Sequence, residues 1–139
     1  MEFNKIIAVT GKPGLFVVIS QTKTGIIVES LIDKKRVPIL STHNVSLLEN
    51  IAVFTYDKEV PLLTVFKSIS EKEAGKETIS HKESGAKLTS FFSEILPEYD
   101  QERVYTSNIK KIVQWYNALI AVDFDFSTAE LSSEAKQEA

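Results

Sequence analysis

Ile51-Ala52-Val53-Phe54-Thr55-Tyr56-Asp57-Lys58-Glu59-Val60-Pro61-Leu62-Leu63-Thr64-Val65-Phe66 is the stretch that decides the fold class. Up to Tyr56 the apolar residues come in short β-branched runs cut by turn residues, the pattern of small antiparallel strands. From Pro61 the period changes. Leu62, Val65, Phe66 and Ile69 recur at i, i+3, i+4 and i+7, which puts them on one helical face. Pro61 stands at the first helical position, where a missing N–H costs nothing. Strands followed by helices is an α+β order and argues against a doubly wound sheet with its phosphate site.

Working back from this junction, Ile6-Ile7-Ala8-Val9 reads as a first strand and Gly11-Lys12-Pro13-Gly14 as a type II turn, with proline fixing φ and glycine accepting a positive one. Leu15-Phe16-Val17-Val18-Ile19 and Ile26-Ile27-Val28-Glu29-Ser30-Leu31 are the next two strands, joined through Gly25. Asp33-Lys34-Lys35 turns the chain into Val37-Pro38-Ile39-Leu40, which Pro38 assigns to a sheet edge because it has no N–H to donate. Val45-Ser46-Leu47-Leu48 reads as one helical turn, and Ile51 to Tyr56 as the fifth strand. Five short strands joined by tight turns without a crossover helix predict a small SH3-like antiparallel β-barrel or strongly curled sheet over residues 1–60.

Working forward, helices are predicted over 61–70, 84–96 and 106–121, forming a helical unit over 61–126. Residues 67–87 hold five lysines and four glutamates with only Ile69 and Ile79 as large apolar residues, so about 70–84 reads as a charged linker. Leu88, Phe91, Phe92 and Ile95 restore the apolar stripe before Pro97. Ile109, Ile112, Val113, Tyr116, Leu119 and Ile120 make the strongest stripe, widened by Trp115 and Val122. In 127–139 Leu131 is the only large apolar residue, and burial there does not offset an ordering cost of roughly 1–2 kcal/mol per residue. That segment is expected to be a disordered tail.

Composition narrows the chemistry. At 139 residues, 43% hydrophobic and 25% charged, the chain is of ordinary globular composition and long enough for a core without metal or disulfide staples. It has no cysteine, which excludes disulfides, thiolate nucleophiles and cysteine-ligated metals. No apolar run approaches the ~20 residues that span a bilayer, and the N-terminus lacks a signal-like pattern, so a cytoplasmic location and no membrane partner are expected. Residues 1–66 carry seven Lys/Arg against six Asp/Glu, and residues 67–139 nine against thirteen. Neither half resembles a polybasic nucleic-acid binder.

The remaining constellations carry little chemistry. Gly11-Lys12-Pro13-Gly14 fits neither phosphate-loop spacing, and Pro13 removes a donor such a loop would use. His43 and His81 have no i+4 histidine or paired carboxylate and read as exposed surface residues. Asp123 and Asp125 alternate with Phe124 and Phe126 and have no following glycine, so they form an acidic edge and no calcium loop. No metal or cofactor is expected. Lys34-Lys35-Arg36, and Lys110 and Lys111 beside Trp115, offer phosphate contacts and stacking, but the acidity of the helical half favours solvated basic residues. Tyr99-Asp100-Gln101-Glu102-Arg103-Val104-Tyr105 bridges two helices with aromatic and charged residues, and Asp100 and Arg103 can pair at i, i+3. It reads either as an interhelical clamp or as a recognition surface on a loop held by packed helices.

Three groups of residues together carry a resemblance. Ile6-Ile7-Ala8-Val9-Thr10-Gly11-Lys12-Pro13-Gly14-Leu15-Phe16, Gly25-Ile26-Ile27-Val28-Glu29-Ser30-Leu31, and Leu96-Pro97-Glu98-Tyr99-Asp100-Gln101-Glu102-Arg103-Val104-Tyr105 with Ile109-Lys110-Lys111 and Trp115-Tyr116-Asn117 resemble a domain-of-unknown-function family of small Bacteroidetes proteins, over roughly residues 4–122. The resemblance implies a bacterial cytoplasmic protein and transfers no catalytic residue. The expected function is a non-enzymatic binding or regulatory module acting on a protein partner, with Tyr99, Arg103, Tyr105, Lys110 and Lys111 as candidate binding residues. The alternatives are an RNA- or ribosome-associated factor using the barrel, by analogy of fold, and an enzyme built from dispersed Asp, Tyr and His. Self-association into a homo-oligomer is compatible with either binding role.

Overall fold

The computed structural model describes residues 3–12, 14–40, 42, 44–126 and 129. It is an α+β structure. Strands β1 (Ile6–Val9), β2 (Phe16–Gln21), β3 (Gly25–Ser30), β4 (Arg36–Leu40) and β5 (Val45–Leu47) form one antiparallel sheet in the order β4-β3-β2-β1-β5. A hairpin of β6 (Ala52–Phe54) and β7 (Glu59–Pro61) leads into α1 (Leu62–Glu73), α2 (Gly85–Ile95) and α3 (Thr106–Ala121).

Four expectations change. The five-stranded sheet is open, with β4 and β5 as its edges, and among the described residues it does not close into an SH3-like barrel. Closure fails because the expected fifth strand pairs elsewhere: β6 takes Glu59–Pro61 as its partner and leaves the sheet. Its place beside β1 is taken by Val45–Leu47, the segment expected as a helical turn, in the register Ile7↔Leu47 and Val9↔Val45. The turn is displaced to a 3₁₀ segment, Leu48–Asn50. Pro61 ends β7, one residue before the helix. Pro38 lies on an edge strand as expected.

Period-two alternation gives the sheet two apolar faces. Ile6, Leu15 and Leu31 join Leu63, Phe66, Phe92, Ile109 and Tyr116 in a core shared with all three helices. Ile7, Val9, Phe16, Val28 and Ile39 form a second cluster on the other face, to which no helix contributes. Its residues are nevertheless buried. The pairing of β2 with β3 shifts register by one residue between Val18 and Ser20, an irregularity of the kind that bends and twists a strand. Gly25 is required by close approach: a Cβ there would overlap the Ile39 carbonyl oxygen across the β3–β4 ladder.

α2 and α3 follow their sequence signals, whereas α1, expected to end at 70, takes in the first residues of the expected charged linker. Ser84 caps α2 by accepting from the Lys87 N–H, and α1 runs to Glu73, where Ala74 turns left-handed. The charged connector that follows is tied to α3. The Thr78 N–H donates to Asn117 Oδ1, Asn117 Nδ2 donates to the Ile79 carbonyl, and the Tyr116 hydroxyl donates to the Lys76 carbonyl. Burial pushes the Tyr116 phenol above its ordinary pKa. Phe124 and Phe126, noted in the sequence only as breaking a calcium loop, pack into the core against Phe3 and Tyr116. The expected tail lies outside the described residues except Ala129, which is buried. No helix among the described residues is long and apolar enough to cross a membrane.

Candidate functional site

The 99–105 loop is fastened on three sides. Behind it, Tyr99 is buried with its ring edge-on to Phe92 of α2, centroids 5.0 Å apart. Beside it, the Asp100 N–H donates to the Phe54 carbonyl and the Tyr56 N–H to the Glu98 carbonyl, so the loop pairs with the outer edge of β6. Ahead of it, the Tyr105 N–H donates to Asn108 Oδ1, closing the first turn of α3.

Asp100 holds the loop's shape. Its carboxylate accepts from Arg103 Nε at 2.8 Å and from the Glu102 N–H at 3.0 Å. The Arg103 hydrogen bond holds its pKa below the ordinary carboxylate value, against the opposing effect of burial. Arg103 in turn lies over the Phe54 ring, 4.5 Å from its centroid, a cation–π geometry.

Two hollows flank Val104, which lines both. One, of about 420 Å³, lies between α2 and the start of α3 and is lined by Thr89, Ser93, Tyr99, Gln101 and Tyr105. The Thr89 and Ser93 hydroxyls donate back to carbonyls of their own helix. The other, of about 260 Å³, is a groove between β6 and α3. Ala52, Phe54, Ile112 and Trp115 form its apolar lining, and Arg103, Asn108 and Lys111 its polar one.

The five candidate residues therefore separate. Arg103 and Lys111 meet at the groove; Tyr105, 63% exposed, borders the polar hollow; Tyr99 is a packing residue beneath it. Lys110 is exposed and lines neither hollow. Ile109, Ile112, Val113 and Leu119 are buried, so the outward and inward faces of α3 are distinct. The sequence reading missed the opposite wall, β6 with Phe54. The α3 wall had a signal, since Asn108, Lys111, Ile112 and Trp115 fall at helical spacings of three and four. His81 is half-buried in the connector, and His43 lies outside the described residues. Among the described residues no three His, Cys, Asp or Glu side chains gather as a metal site.

Comparison with known proteins agrees with this architecture. Residues 3–48 match the model of a domain of unknown function (DUF5606), and residues 51–119 that of a second domain of unknown function (DUF6852). The division falls at the 3₁₀ segment Leu48–Asn50, which places β6 and β7 with the helices. No curated protein matches the chain. A solution NMR structure from Bacteroides vulgatus is 39% identical, with 93% of this chain and 90% of that chain covered and a TM-score of 0.73. The chain, with its DUF5606 segment followed by a DUF6852 segment, belongs to the Bacteroidetes family of that protein.

Proposed function

We propose that the chain is a non-enzymatic, cytoplasmic protein-binding module whose binding surface is the groove between β6 and α3. The observation that carries this is the position of Arg103 and Lys111 beside an apolar lining that includes Phe54 and Trp115. Aromatic and arginine side chains around a small pocket are the usual anchors of a protein interface. An RNA- or ribosome-associated role using an SH3-like barrel has less support, because it rests on a barrel and the sheet is open.

Arg103 is a poor probe of binding, since its removal strips Asp100 of its ion pair. Lys111 is exposed and has no ion pair among the described residues. Protein captured from a lysate by the immobilised chain should bind Lys111→Glu more weakly by roughly 1–2 kcal/mol, with an unchanged melting temperature. Ile112→Ala should instead lose roughly 2–5 kcal/mol of stability. Capture by Lys111→Glu equal to that by the wild type removes the groove as the binding surface.

A further inference from the structure

The groove has a backbone edge along one wall. Leu62 N–H donates to the Ile51 carbonyl and Thr55 N–H to the Lys58 carbonyl. In the register Ala52↔Pro61, Val53↔Val60, Phe54↔Glu59 these bonds make Val53 and Val60 the hydrogen-bonded pair between them. Ala52 and Phe54 therefore turn their backbone groups away from β7, toward the groove they line. Pro61, opposite Ala52, has no N–H to offer in any case.

This outer edge already takes a strand over half its length. Phe54 accepts from the Asp100 N–H there, and Tyr56 donates to Glu98. The loop then turns away, because Asp100 accepts from Glu102 and Arg103 and the chain enters α3. Beyond this point Ala52 keeps the outward N–H and C=O that its register with β7 leaves unused, and it shares the groove's lining with Asn108, Lys111 and Trp115.

We infer that an extended peptide segment with alternating apolar and acidic residues adds to the β6 edge at Ala52, seating an apolar side chain in the groove and a carboxylate against Lys111. The inference rests on the binding surface proposed above and specifies its partner. Strand addition takes its affinity from backbone bonds and its selectivity from alternate side chains. The groove's 260 Å³ suits one large apolar residue. Acidic residues are selected because Arg103 and Lys111 are the charged side chains lining the groove and Arg103 is already paired with Asp100.

Ala52→Pro is the variant that isolates the backbone contribution. It deletes an N–H the β6–β7 ladder does not use, and the preceding Ile51, at φ −85° and ψ 135°, has the conformation a residue before proline prefers. The probes are the capped peptide acetyl-Val-Glu-Phe-Glu-Val-Glu-amide and its counterpart with lysine for each glutamate, titrated into the ¹⁵N-labelled full chain. With the acidic peptide, the Ala52 amide and Trp115 indole signals should shift and saturate, and hydrogen exchange at the Ala52 amide should slow. Lys111→Glu should weaken binding roughly fivefold or more. Ala52→Pro, melting with the wild type, should abolish it.

Unslowed exchange at Ala52 under saturating peptide overturns the inference even if Ala52→Pro fails to fold. Equal binding of the lysine peptide, or shifts produced by single-stranded oligouridylate in place of the acidic peptide, also overturns it. A lysate partner that needs Lys111 but binds Ala52→Pro undiminished leaves the binding surface standing and removes strand addition alone.

Discussion

Asp100 shows how one side chain sets the geometry of a surface. Its carboxylate is almost withdrawn from solvent, yet it accepts from Arg103 and from the Glu102 backbone. It thereby fixes Arg103 over Phe54, at the mouth of the groove. The Asp100–Arg103 pair was legible in the sequence because it is local, at i, i+3. The Phe54 contact was not, since it joins segments far apart in the chain through the tertiary fold. Because the folded-state pKa of Asp100 is lowered, its contribution to stability is complete above the unfolded value of about 3.9. It is lost as pH falls through the lower folded value. Urea titrations of the wild type should show stability declining below about pH 4, and Asp100→Asn should remove part of that decline while lowering stability at neutral pH. An identical acid limb in the variant assigns the acid sensitivity to other carboxylates.

At the scale of elements, legibility followed the apolar stripe: α1 runs three residues past its expected end because Glu71-Lys72-Glu73 carry no apolar signal. The periodicity of α2 and α3 located them within a residue because each repeats its apolar stripe over two or more turns. Val45–Leu47 has only three residues, too few to show any period, and its pairing with β1 decided its conformation. Glu59–Pro61 was hidden for the same reason and because proline there has two readings. The connector after α1 is a subtler case. Its lysines and glutamates face water as the composition indicated, while Asn117, one polar residue on α3, accepts from Thr78 and donates to Ile79. Nothing local to Asn117 marks that role. Asn117→Ala should cost about 1–3 kcal/mol, for two hydrogen bonds whose backbone partners are left unpaired, and should accelerate hydrogen exchange at the Thr78 amide. A stability loss with unchanged exchange at Thr78 would place the cost within α3.

For the whole molecule, the order of strands before helices was readable from the change of period near Pro61, but the openness of the sheet was not. Closure depends on which strand lies beside which: Val45–Leu47 pairs with β1, while Ala52–Phe54 pairs with Glu59–Pro61 outside the sheet. The outcome couples the halves, because Ile6 and Ile7 of one strand enter different cores. Ile6 belongs to the core shared with all three helices, and Ile7 to the cluster made by strands alone. Both are fully buried, so Ile6→Ala and Ile7→Ala should each lose roughly 2–5 kcal/mol. Their signatures should differ. If the shared core makes the protein one cooperative unit, Ile6→Ala lowers the midpoint of helix loss, followed by circular dichroism, and that of sheet loss, followed by amide infrared absorption, by the same amount. Ile7→Ala acts first on the sheet, and its amides in β3 and β4 should exchange faster than those of α3 below the global transition. Separate helix and sheet midpoints in Ile6→Ala would mean that the segments matched by the two family models fold independently and that Ile6 only docks one onto the other.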